Sequence, residues 1–91
     1  MSAPLPYEIL PETLRDGVQR YIESRIVPGG FLFAALKNDL RDAVVRADPE
    51  NLIRLPFVVL WLVAHAPEEC WGSLEAVAAW SRSNAREEDL L

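Results

Sequence analysis

The chain has 91 residues, 51% hydrophobic and 25% charged, with three Trp, three Phe and two Tyr. That composition excludes an intrinsically disordered tract and sets the expectation of one small domain, burying about 60 to 65% of the surface its unfolded form exposes. The formal charge of −5 argues against a broad footprint on duplex nucleic acid, and the single cysteine, Cys70, excludes an internal disulfide framework, so a cytoplasmic protein is expected.

Residues 1–10, with Pro4 and Pro6, read as an extended leader that has neither the basic start nor the apolar stretch of a secretory signal. The first helix is expected over 11–25, where Pro11 and Glu12 open a run with Leu14, Val18, Tyr21 and Ile22 on one face. Gly17 costs that helix roughly 1 kcal/mol relative to Ala, unless a close helix contact needs the missing side chain. "IVPGG" at 26–30 ends it.

A second helix is expected over 30–46, because Phe31, Leu32, Ala35, Leu36, Leu40, Ala43 and Val44 keep the helical period while Lys37, Asn38, Arg41 and Asp42 fall to the other face. Asp48 then offers an N-cap and Pro49 a first helical residue for a third helix over 50–66. Pro56 lies inside it and predicts a kink or a later start near Asn51. The stretch "FVVLWLVA" at 57–64 is too short to span a bilayer, which takes about 20 residues, and its all-round apolarity points to an oligomer whose contact is this segment or the first two helices. Gly72, the cap Ser73 and the apolar positions Leu74, Val77, Ala78 and Trp80 give a fourth helix over 74–82, and the acidic tail 83–91 is expected to fray. The fold class is therefore all-α: a compact, homo-oligomeric bundle of about four short helices, with one helical domain over 11–82.

Tyr21-Ile22-Glu23, Pro28-Gly29-Gly30-Phe31-Leu32, Asn38-Asp39-Leu40, Arg46-Ala47-Asp48, Asn51, Trp71-Gly72-Ser73 and Trp80 follow one another at spacings that resemble a family of small proteins encoded by tailed phages and prophages. The pattern covers about three quarters of the chain and departs at Pro56 and at "WLVAHAP". The resemblance implies a phage accessory protein and supplies no mechanism.

For a site, the sequence offers the Pro28-Gly29-Gly30 turn. Free N–H groups at a helix start attract phosphate, and six arginines (Arg15, Arg20, Arg25, Arg41, Arg46, Arg54) lie between positions 15 and 54. The candidate ligand-binding set is Arg20, Arg25, Pro28, Gly29, Gly30, Phe31, Asn38 and Arg41; against it stands the reading of the turn as a plain helix connection in which glycine supplies positive φ. His65 and Cys70 are too few for a closed metal site and lack a catalytic context, and the tryptophans are first needed for packing. No catalytic residue, metal or cofactor is expected. The function expected is a non-enzymatic oligomeric sponge that sequesters a small phosphorylated, nucleotide-like defence signal of the host, with a protein-interaction module that modulates a host or phage protein as the alternative. In both the chain is its own partner, and neither a membrane nor duplex nucleic acid is expected.

Overall fold

The structure, a computed structural model, describes the backbone of residues 5–90 and the side chains of residues 5–82. Among these residues it is all-helical. Five α-helices run in order, α1 (Glu12–Ser24), α2 (Gly30–Leu36), α3 (Leu40–Arg46), α4 (Pro49–His65) and α5 (Leu74–Leu90), with single 3-10 turns at Tyr7–Ile9 and Glu68–Cys70.

α2 is the centre of the domain: Phe31, Leu32, Ala34, Ala35 and Leu36 are all buried, which leaves it almost no outer face. α1 covers it with the expected stripe of Leu14, Val18, Tyr21 and Ile22. Gly17 belongs to this contact, since a Cβ there would stand 3.0 Å from a terminal methyl of Leu32. The helix therefore carries its weak residue where a Leu32 methyl of α2 occupies the space a side chain would need. α4 contributes Leu55, Val58, Trp61 and Leu62, and Val77 of α5 with Cys70 closes the core.

The expected helix over 30–46 is two helices. After Leu36 the chain closes α2 with two overlapping bonds, Asn38 N–H to the carbonyl of Ala35 at 3.1 Å and Asp39 N–H to that of Ala34 at 2.9 Å, while Asn38 takes φ +62°. This is a Schellman-type ending, in which a left-handed residue turns the chain off its axis. Asp39 at once caps the next helix, accepting the N–H of Asp42 at 3.0 Å. A C-terminal and an N-terminal signal thus sit side by side in Asn38-Asp39, and together they outweigh the apolar period that runs through them.

Asp48 accepts the N–H of Asn51 at 2.7 Å and Pro49 occupies the first turn, so the third expected helix begins at Pro49 rather than late. It continues through Pro56 to His65. Pro56 and Leu52, whose carbonyl loses its usual donor, both lie on the exposed side, where water can take the place of the missing bond. Ser73 accepts the N–H of Ala76 at 3.0 Å and starts α5, whose backbone continues to Leu90, past the expected end near 82. The leader also departs from expectation. Residues 1–4 lie outside the described residues, but Tyr7–Ile9 form a helical turn with Tyr7 and Leu10 buried. Arg15 holds that turn by donating to the carbonyls of Tyr7, Glu8 and Leu10 at 3.1–3.2 Å. Trp61 Nε1–H, donating to the carbonyl of Pro6 at 3.0 Å, ties it to α4, and the Tyr7 and Trp61 rings stack with centroids 5.5 Å apart.

Candidate functional site

The Pro-Gly-Gly turn is open. Gly29 and Gly30 are exposed, a Cβ on either would meet nothing within 4 Å, and Gly30 has φ +58°. α2 starts without a side-chain cap. It is only seven residues long, however, so its dipole is short, and Phe31 behind the turn is buried in the core.

Of the cations expected around the turn, Arg25 is engaged by Trp80 and Arg20 lies among carboxylates. Arg25 ends α1 in the left-handed conformation at φ 60°, its N–H bonded to the carbonyl of Tyr21 at 3.0 Å. Its guanidinium lies 3.8 Å from the ring centroid of Trp80 and donates to the carbonyl of Trp80 at 3.4 Å. Trp80 in turn donates its ring N–H to the carbonyl of Tyr21 at 3.0 Å. Arg25 and Trp80 therefore form a clasp that seats α5 on the end of α1, joining polar groups to an aromatic face as cation–π pairs do. Arg20 lies in a shallow groove along α1 with Asp16, Gln19, Glu23 and Ser24, and two carboxylates beside one guanidinium suit a phosphate poorly. Arg41 is exposed on α3. Asn38 stands at the far end of α2 from the turn, beside a small notch lined by Ala35, Leu40, Ala43, Leu55 and Val59. Of the remaining arginines, Arg15 holds the 3-10 turn, Arg46 pairs with Asp42 at 2.9 Å and Arg54 with Glu50 at 2.9 Å. Lys37 adds a second contact to Asp42 at 3.5 Å, and the hydrogen bond from Arg46, ahead of every other influence, holds the Asp42 carboxyl below its ordinary range.

Cys70 is fully buried, and burial, aided by the charge of Glu69, pushes its thiol up to about 11. It is a thiol at neutral pH and reaches no solvent, the opposite of an activated nucleophile. His65 packs tilted against Trp61 with ring centroids 5.4 Å apart. Among the described residues no three His, Cys, Asp or Glu side chains gather as a metal would need.

A different surface does come together. Leu55, Val58, Trp61 and Leu62 take the inner side of α4, which leaves Leu52, Ile53, Pro56, Phe57, Leu60, Val63 and Ala64 exposed on the outer half without a charge among them. Beside this face the Tyr7–Ile9 turn raises a wall, and the groove between them, of about 300 Å³, is lined by Ile9, Leu10, Phe57, Leu60, Trp61, Ala64 and His65. The sequence pointed to residues 57–64 as a contact surface. Ile53 and Leu52 were legible from the same helical period, whereas Ile9 and Leu10 reach the face through the contacts of Trp61 with Pro6 and Tyr7. Comparison with protein-family models, with curated proteins and with solved structures gives no match for this chain.

Proposed function

We propose that the chain is a non-enzymatic protein-interaction module whose working surface is the outer face of α4 with the adjoining Tyr7–Ile9 turn. The observation that carries this reading is the extent of that face: Ile9, Ile53, Phe57, Leu60 and Val63 are each 64–73% exposed. At on the order of 100 Å² apiece they reach about 500 Å², the upper end of what a free-standing monomer leaves bare. The face lacks the lysines and arginines that hold an amphipathic helix to an anionic membrane, so the occupant it fits is another protein's apolar helical face.

The sponge reading draws on the same small size and open turn but needs the arginines to converge, and Arg25 is held by Trp80 while Arg20 lies among acids. Thermal shift of the full chain against cyclic and linear nucleotides separates the two. A nucleotide at 100 times its dissociation constant adds about 2.7 kcal/mol to a protein that binds it. The module reading expects no nucleotide to move the midpoint; a clear rise that Arg20→Ala or Arg41→Ala removes would overturn it in favour of the sponge.

A further inference from the structure

From the shape of the α4 face we infer that its occupant is a second copy of this chain, joined in a two-fold, antiparallel α4–α4 pair; this rests on the module reading and names its partner. The outward residues Ile53, Phe57, Leu60 and Ala64 recur at steps of four, three and four, the spacing of a helix-pairing seam. Because that spacing is symmetric about a point between Val58 and Val59, an antiparallel partner sets Ile53 against the partner's Ala64 and Phe57 against the partner's Leu60. Ala64 borders the groove beside Ile9 and Leu10. The projecting Ile53 of one copy therefore enters the hollow of the other, and the two-fold axis repeats the insertion. The knob and the hollow both belong to this chain, which is what an isologous interface requires.

Three further observations favour a copy of the chain in this orientation. Two faces of about 500 Å² together reach the roughly 1,000 Å² that a specific interface must clear. Despite the formal charge of −5, the pairing surface carries no charge, and Arg54 beside it is neutralised by Glu50 at 2.9 Å, so self-repulsion is not concentrated at the contact. A parallel pair would oppose Ile53 to Ile53, leave both hollows unfilled and align the two helix dipoles; the antiparallel pair opposes them.

Sedimentation equilibrium of the full chain tests the pairing. The expected mass is twice 10.2 kDa. Leu60→Asp, which buries an unpaired carboxylate in each copy, should raise the dissociation constant at least about 100-fold while leaving the helical circular dichroism of the monomer in place. Orientation is read by mixing two single variants, Ile53→Cys and Ala64→Cys, under mild oxidation, since Cys70 is buried and out of reach. Disulfide-linked pairs should form in the mixture and not within either variant alone. A 10.2 kDa monomer at micromolar concentration, a Leu60→Asp chain that still pairs, or self-linked Ile53→Cys each overturns the proposal. A monomer indifferent to nucleotides defeats the pairing and leaves the module reading standing, whereas stabilisation by a nucleotide defeats that reading itself.

Discussion

Two tyrosines in one core make opposite demands on their hydroxyls. Tyr21 is fully buried and donates its hydroxyl to the carbonyl of Cys70, linking α1 to the turn that precedes α5. Tyr7 is 7% exposed, and its hydroxyl makes no hydrogen bond of good geometry among the described residues, although the Glu23 carboxylate stands near enough to act on it. Removing a satisfied buried hydroxyl strands its acceptor, while removing an orphaned one ends a desolvation cost. Tyr21→Phe should therefore cost about 1–2 kcal/mol and Tyr7→Phe should stabilise by about 0.5–1 kcal/mol, read by urea unfolding. Equal losses at the two sites would show that Tyr7 has a partner after all. Asn38 gives a second contrast. An L-residue in the left-handed region costs roughly 1–2 kcal/mol, which Asn reduces and Gly avoids. Asn38→Ala should lower stability by about 1 kcal/mol and Asn38→Gly should change it by less than about 0.5 kcal/mol. A neutral Asn38→Ala would mean that the α2–α3 joint does not depend on this conformation. Its role as a helix ending was written in the Asn-Asp pair but hidden by Ala35, Leu36, Leu40, Ala43 and Val44, whose spacing fits one continuous helix.

Two helix starts marked by a chemical cap were legible, and α1 was legible without one from its apolar period. Asp48-Pro49 and Gly72-Ser73 put an acceptor and a stiff or compact residue where a helix must start, and both starts stand within a residue of expectation. The placement of arginines was not legible, because it depends on partners remote in the chain: Arg25 meets Trp80 fifty-five positions away. The same clasp explains how α5, whose hold on the core otherwise rests on Val77 and on neighbours of Cys70, is kept in place. If Arg25 works there rather than on a ligand, Arg25→Ala should lower stability by about 1–2 kcal/mol through the lost cation–π contact and the lost hydrogen bond to the Trp80 carbonyl. Trp80 fluorescence should shift as the ring loosens. An unchanged unfolding midpoint would return Arg25 to the surface pool from which a ligand site could draw.

At the scale of the whole molecule, the N-terminal turn, α1 and the turn before α5 meet in one buried group of Tyr7, Tyr21 and Cys70. All three resist ionisation, and burial is the leading cause in each case. Tyr7 is pushed further up by the Glu23 carboxylate near its hydroxyl, first as a hydrogen-bond acceptor for the protonated form and then through its charge, Tyr21 by Cys70, and Cys70, by Glu69 as well, to about 11. A group whose pKa is higher in the folded state than in the unfolded one gives its full stability below the unfolded value and loses it as pH rises toward the folded value. The ordinary values are 9.0 for the thiol and 10.0 for the tyrosines, so stability should hold up to about pH 9 and then fall steeply as unfolding releases three protons. The chain contains just these two tyrosines, which makes the near-ultraviolet tyrosinate band a direct reporter of the group. In an alkaline titration that band should rise together with the loss of helical circular dichroism, well above pH 10, and not before it. Tyrosinate appearing near pH 10 with the helices intact would place both rings in water and undo the packing that joins the leader, α1 and α5 into one domain.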